Sequence, residues 1–475
     1  MTSTPSQPRV AIAGGGLAGL AAACALSDVG FHVTLFEKRP FLGGRASSFE
    51  HPGTGEVVDN CQHVLFRLCT NLVEFYERIG VADQIRWYDQ MTFIEPGGRT
   101  STMSSSLLPA PMHTAPSFLQ FPFLSAADKV AIARALVPLT LTVQQDTGKS
   151  FQEWLDRHGQ TKNAVERFWK AILISALSED LDRISVSAAA QVVRESMKSP
   201  GARHMGVPAL PLTDLYNAAG EYVRARGGVL HFRCSVDTFS VQGTQVQVRA
   251  RAAGNAGSTA QCFDYLIIAL PFEALDRVLP DSPESVPLRE QISHFENSPI
   301  TGIHLWFDRQ ISELDHAVLL DRTIQWMFHK SRLQPIRTHS GNGNSGGSYI
   351  ELVVSSSKSL IDKSRNEIVE LALAEVREFF PGARSANLVK STVIKEVNAT
   401  YSPRPGIDAH RPSSMTGWGR VFLAGDWTAT GWPATMEGAV RSGYHAAEVL
   451  ARAAGKEAHF LSPDLPATGL MRLFS

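Results

Sequence analysis

Two stretches of the chain carry residue types and spacings that could do chemistry. The first, VDNCQHVLFRLCTN at 58 to 71, puts Asp59, Cys61, His63 and Cys69 close together. Zinc sites want short spacings such as C-x-x-C, completed by a histidine pair, and this stretch offers neither, so no metal is expected. His63 remains a candidate acid, because imidazole titrates at about 6.5, although a loop-fixing role is the plainer reading. The second stretch, LAGDWTATGWPATMEGAVRSG at 423 to 443, delivers Gly425 and Asp426 from a strand into a loop. Pro433-Ala434-Thr435-Met436 then opens a small-residue helix. Asp426 could accept hydrogen bonds from a ligand's hydroxyl groups, and that helix N-terminus could hold a negatively charged ligand edge. Trp427, Trp432 and Tyr401 are further candidates, since an aromatic face can stabilise a cation, but each could equally be pocket wall.

The elements that must position these residues start near Arg9. RVAIAG reads as a buried strand, LAGLAAACALSDVG as an Ala-rich helix and FHVTLFEK as a second strand, which makes one βαβ unit over 9–38. Gly14, Gly16 and Gly19 fall at the strand-to-helix turn in G-x-G-x-x-G spacing, with Leu17 and Ala18 opening the helix. Glycine there allows a tight turn, a close approach to a pyrophosphate and tight packing of helix on strand, while free N–H groups face the phosphates. Glu37, with Lys38 beside it, ends the second strand, where a carboxylate can bind a ribose 2′-hydroxyl. Gly43-Gly44-Arg45 follows, a chain reversal next to a cation that can pair with phosphate. FDYLIIALP and GRVFLAGD repeat the buried-strand pattern later in the chain.

Composition narrows the field. With 45 basic against 46 acidic residues, the chain carries a formal charge of −1, and nothing global steers it toward nucleic acid or an anionic membrane. Five cysteines in 475 residues make no disulfide framework and fit a reducing, cytoplasmic setting. The Ala-rich run from Val10 to Leu26 carries too many glycines for a secretory leader. The apolar stretch Phe118 to Val143 is broken by Asp128, Lys129, Arg134 and Pro138; it reads as a core helix, although Phe121 and Phe123 could dock it peripherally on the inner face of the cytoplasmic membrane. SGNGNSGGS at 340–348 reads as a loop between strands. VLFRLCTNLVEFYERIG reads as one amphipathic helix after an extended DNCQH turn.

The length and the alternating textures predict an α/β protein with a discontinuous nucleotide-binding domain, 1–95, 205–275 and 415–455. A substrate domain is inserted twice, helical over 96–204 and strand-rich over 276–414, and 456–475 forms a tail that could be an ordered cap or a loose end.

In GGGLAGL, the Glu37 strand end, GGR, RGGVLHFRCSV and GDWTATGWPATMEGAVRSG, taken in that order, the chain resembles the flavin amine oxidase and carotenoid desaturase superfamily. The resemblance implies a Rossmann-type FAD-binding domain with an inserted α+β substrate domain. It implies FAD, with Glu37 at the ribose, Arg45 near the pyrophosphate, the Val236 backbone at the adenine, Asp426 on the ribityl-phosphate side, and Met436, Gln62 and His63 near the flavin ring. DNCQHVL, SPITGIHLWFDR and NATYSPRPG resemble in particular the hydroxysqualene dehydroxylases, apart from Cys61, where glycine is common in that family. That likeness implies reduction of hydroxysqualene, a long-chain isoprenoid, to squalene in hopanoid biosynthesis, with a separate electron donor reducing the flavin. Carotenoid-type desaturation runs hydride the other way on the same fold and is the nearest rival. A flavin amine oxidase and a non-catalytic isoprenoid carrier stand behind it.

Overall fold

The computed structural model describes residues 7–334 and 347–474. Most of the Gly/Ser-rich run expected to form a loop therefore lies outside the described residues. One parallel sheet holds β1 (Arg9–Ala13), β2 (His32–Glu37), β3 (Val229–Phe232), β4 (Tyr265–Ile268) and β5 (Val421–Leu423), in the spatial order β3-β2-β1-β4-β5. All four pairings are parallel. Strands covered on both faces need apolar side chains throughout, which is why β1 and β4 read as unbroken runs. Helix α1 (Leu17–Asp28) follows β1 and has no polar stripe, because every residue from Leu17 to Ser27 is buried.

A second unit is built on a seven-stranded sheet. In order, its strands are Leu388–Tyr401, Asn297–Phe307, Ser348–Ser355, Trp326–Phe328, His316–Leu319, Gln90–Ile94 and Thr100–Ser104. The first boundary expected between 95 and 96 thus falls between two strands that pair with each other, and Gln90–Ile94 goes with the second unit. Helices α2 (Ala126–Leu141) and α3 (Val186–Met197) pack beside this sheet. A capping box fixes the start of α2: Ser125 accepts from the Asp128 N–H, and the Asp128 carboxylate accepts from the Ser125 N–H. Phe121 and Phe123 precede it and stack on each other at 4.7 Å inside the core. They are 1% and 4% exposed, so they cannot be the membrane-docking residues expected from sequence.

The chain returns to the first sheet through β5 and closes with α4 (Met436–Ala453), which packs on α1. A Cβ on Gly443 would come within 2.2 Å of the Ala18 carbonyl, so the two helices approach at backbone distance. The tail is ordered against the second unit: the Thr468 and Leu470 N–H groups donate to the carbonyls of Lys198 and Ala110, both at 2.9 Å. Another departure concerns residues 64–80. Only Thr70–Arg78 is helical, because Leu65–Phe66 instead pairs as a short strand with Met205–Gly206. Tertiary strand pairing there overrides the helical periodicity.

Candidate active site

A single cavity of about 1780 Å³ runs from the mouth of the β1–α1 turn into the second unit. That exceeds the ~300–1,000 Å³ of an ordinary ligand pocket and leaves room for a dinucleotide and a second molecule. At its polar end, Gly14 (φ +110°) turns the chain out of β1. Gly43 donates to the Gly15 carbonyl at 2.9 Å, bringing the Gly43-Gly44 reversal against the same turn. No side chain caps the N-terminus of α1, so the N–H groups of its first turn stay open toward the cavity that Gly16, Leu17 and Ala18 line. Gly19 does not reach the cavity, because its missing side chain is what lets the Gly14 carbonyl approach.

Glu37 ends β2 with both oxygens engaged, accepting from the Gly15 N–H at 2.6 Å and the Arg39 N–H at 2.7 Å. Each carboxylate oxygen has a second lone pair, and Glu37 lines the cavity, so a ribose hydroxyl still finds an acceptor. Lys38 is exposed at the rim, and Val236 lines the same end where its strand bulges. Arg45 forms an ion pair with Asp426 and donates to the Ala399 carbonyl at 3.2 Å. The residue expected at the pyrophosphate and the one expected on the ribityl side are thus bound to each other. Gly425 is fixed by its N–H on the Ser442 hydroxyl at 2.7 Å. Asn60 donates to the Arg45 carbonyl at 2.7 Å and ties the 59–63 loop to this corner.

The other candidates separate. Gln62, His63, Trp427, Trp432, Pro433, Ala434, Thr435 and Met436 all line the cavity. Tyr401 does not; it is buried behind the wall against Phe295, with Arg411 over its ring at 5.5 Å, and burial pushes its phenol up. Its expected place as a catalytic candidate is therefore corrected to packing. Arg411, which has no sequence signature, donates to the carbonyls of Asp426, Thr428 and Trp432 and holds the 426–432 loop in place. Thr435 caps α4 by accepting from the Gly438 N–H at 3.1 Å.

His63 Nδ1 lies 2.7 Å from the Cys61 carbonyl. A carbonyl only accepts, so Nδ1 carries the proton and a neutral ring keeps its lone pair on Nε2. Burial lowers the imidazole below its ordinary value. At neutral pH the ring is therefore a proton acceptor, which changes the role expected of it. Gln62 joins the site to a buried cluster that sequence does not announce. Its amide oxygen accepts from Lys330 Nζ at 2.8 Å, and the same ammonium sits 2.5 Å from Asp59 and 3.5 Å from Glu351. Cys61 and Cys69 are free, and among the described residues no group of three His, Cys, Asp or Glu could hold a metal ion.

Beyond His63 the cavity is apolar, walled by Phe118, Phe168, Trp169, Trp326 and Phe328. A glycine-lined dinucleotide turn, an uncapped helix start and a second helix N-terminus facing one cavity define an FAD-dependent oxidoreductase. Over residues 17–451 the chain matches the model of the flavin containing amine oxidoreductases, and it belongs to that family. It is 27% identical to the 15-cis-phytoene desaturase of Synechococcus elongatus over 93% of this chain and 95% of that protein. It is also 27% identical to a probable zeta-carotene desaturase of the same organism, over 94% and 99%. Among solved structures, an oxidoreductase from Methanosarcina mazei superposes with a TM-score of 0.70 at 17% identity, covering 92% of this chain and 98% of that one. A putrescine oxidase double mutant superposes with the same score at 16% identity, over 95% and 99%.

Proposed function

We propose that the protein is a polyprene oxidoreductase that desaturates a long isoprenoid chain. The observation that carries this reading is the continuity of the cavity, apolar from the His63 end to an opening formed by Met112, Val137, Leu470 and Phe474. Each of these four both lines the cavity and is 42–57% exposed. Such a passage takes in a chain of CH₂ and methyl groups, each buried methylene contributing about 0.8 kcal/mol. The desaturase relatives act on molecules of this kind by their printed names. FAD held by the glycine turn, Glu37 and the N-terminus of α4 supplies a two-electron acceptor for hydride.

Forming a C=C bond removes a hydride from one carbon and a proton from its neighbour. His63 Nε2 offers the lone pair for that proton, while Trp427 and Trp432 wall the reacting segment and exclude water. Reduction of hydroxysqualene to squalene would use the same cavity with hydride reversed. It would also need a proton for the departing hydroxyl, and the one proton on neutral His63 sits on Nδ1, engaged with the Cys61 carbonyl, while Nε2 has none to give.

His63→Gln is expected to keep its FAD and to slow anaerobic flavin bleaching by a polyprene by about 10²–10⁴-fold, the usual weight of a general base. In the unaltered protein the acid limb of the rate profile should lie below pH 6.5, because burial lowers the imidazole and only protonation removes the lone pair. The deciding experiment supplies phytoene in liposomes to the FAD-loaded protein without oxygen. Bleaching with a longer-wavelength polyene product supports desaturation. No bleaching, together with squalene formation when the reduced protein meets hydroxysqualene, would reverse the direction.

No helix among the described residues is long and apolar enough to cross a membrane. We place a peripheral contact at the cavity opening, where a hydrocarbon substrate would leave the bilayer. The double change Val137→Asp with Leu470→Asp is expected to lower liposome partitioning about tenfold without lowering thermal stability. Unchanged partitioning would refute the contact.

A further inference from the structure

Arg203 follows α3 and lines the apolar part of the cavity. Its Nη1 is buried without a hydrogen-bond partner, and no carboxylate among the described residues pairs with the guanidinium. The acidic side chain at the nearby end of α3, Glu195, is taken by Lys198 at 2.6 Å. Burial lowers the guanidinium only to about 10, so it stays cationic at neutral pH. The neighbouring His113 is fully buried with both ring nitrogens unpartnered, and burial together with the Arg203 charge holds it at about 4, neutral. It brings no charge to offset the cation.

A buried cation without a counter-charge is costly, and an anion that enters with a ligand removes that cost. The planar guanidinium fork suits two-point binding of a carboxylate or phosphate. Its position fits such a ligand. Along α3, the Gln191 amide donates to the Gly431 carbonyl at the flavin end, and the Lys198 carbonyl receives the C-terminal tail just beyond the helix. Arg203 comes after that point in the chain, and its charge acts on His113, the residue next to Met112, which lines the opening.

We propose that Arg203 binds the oxyanion head, carboxylate or phosphate, of a long-chain lipid whose tail lies in the apolar cavity. This goes beyond the polyprene reading and does not rest on which carbon reacts. The test titrates FAD-loaded, full-length protein with hexadecanoate, hexadecyl phosphate and hexadecan-1-ol below their micelle concentrations, following quenching of the tryptophans that line the cavity. One or both anions are expected to bind about ten- to a hundredfold more tightly than the alcohol, the range of a charge-assisted hydrogen bond. The anion preferred identifies the head group as carboxylate or phosphate. Arg203→Gln should abolish the preference and leave alcohol binding and FAD content unchanged. Equal binding of all three probes by the unaltered protein would overturn the proposal without recourse to any variant, as would a preference that survives Arg203→Gln. Failure of phytoene to bleach the flavin would overturn the desaturase reading and leave this result untouched.

Discussion

Gly19→Ala is expected to yield a colourless protein, with FAD retention reduced at least about 100-fold and stability lowered by about 3 kcal/mol. The added Cβ would stand 2.0 Å from the Gly14 carbonyl oxygen and 3.2 Å from the Ala269 Cβ. Neither the β1 turn nor β4 can retreat far, because Gly14 is bound to the Phe36 carbonyl and the Ala269 N–H donates to the Ala13 carbonyl, both at 2.8 Å. The helix must therefore move off the sheet, taking the open N–H groups away from the phosphates. Gly16→Ala separates the two effects. Its Cβ would meet only the Gly44 Cα at 3.8 Å, so the apoprotein should melt normally while the methyl intrudes where phosphate binds. The ratio of flavin to protein absorbance, measured beside a thermal melt, checks both variants. A yellow Gly19→Ala protein with an unaltered melt would refute the packing account.

Lys330→Met is expected to cost about 3–5 kcal/mol, as breaking a buried ion pair on one side usually does. It strands Asp59 and Glu351, which like Lys330 are at most 1% exposed, and it removes the donor that orients the Gln62 amide. One cation facing two carboxylates leaves one of them short of a partner, and burial pushes Glu351 up from 4.5 to about 7. The native state thus holds that proton more tightly than the unfolded chain does. This contribution to stability is complete below pH 4.5 and is lost as pH rises through 7. Glu351→Gln should accordingly match the unaltered protein near pH 4 and exceed it at pH 8 by roughly 2–3 kcal/mol. Denaturant melts at the two pH values read this difference directly. A parallel offset at both would mean that Glu351 does not titrate in this window.

The nucleotide end of the molecule was legible in the sequence because it is local. Gly14 to Gly19, Glu37 and Gly43 to Arg45 lie within one βαβ unit and its following loop, and Asp426 to Met436 lies on one strand–loop–helix passage. Backbone constraints of this kind leave fixed residue types at fixed intervals. The reacting end was legible only in part. His63 could be found by type, but its tautomer is set by the Cys61 carbonyl, and no pattern encodes that contact. Lys330 lies 271 positions from Asp59 and Arg411 lies 15 to 21 positions from the carbonyls it holds, so each gains its meaning only from the folded chain. Phe121 and Phe123 were misplaced for the opposite reason: apolar residues beside an interrupted apolar run suit a core and a membrane face equally well, and tilted ring contacts with Phe93 at 5.3 and 6.0 Å decide for the core.

The order of strands in the parallel sheet bears on how the protein is made. β1 and β2 leave the ribosome early, β3 and β4 near the middle of translation, and β5 with α4 only after residue 420. Helix α4 supplies both the backbone-close partner of α1 and the helix start that faces the flavin end. The nascent chain therefore holds an unfinished cofactor fold, with an apolar α1 uncovered, through most of its synthesis. Such late, long-range closure is slow and leaves time for aggregation. The contact that α4 makes at the flavin end is therefore available only after that last helix has emerged.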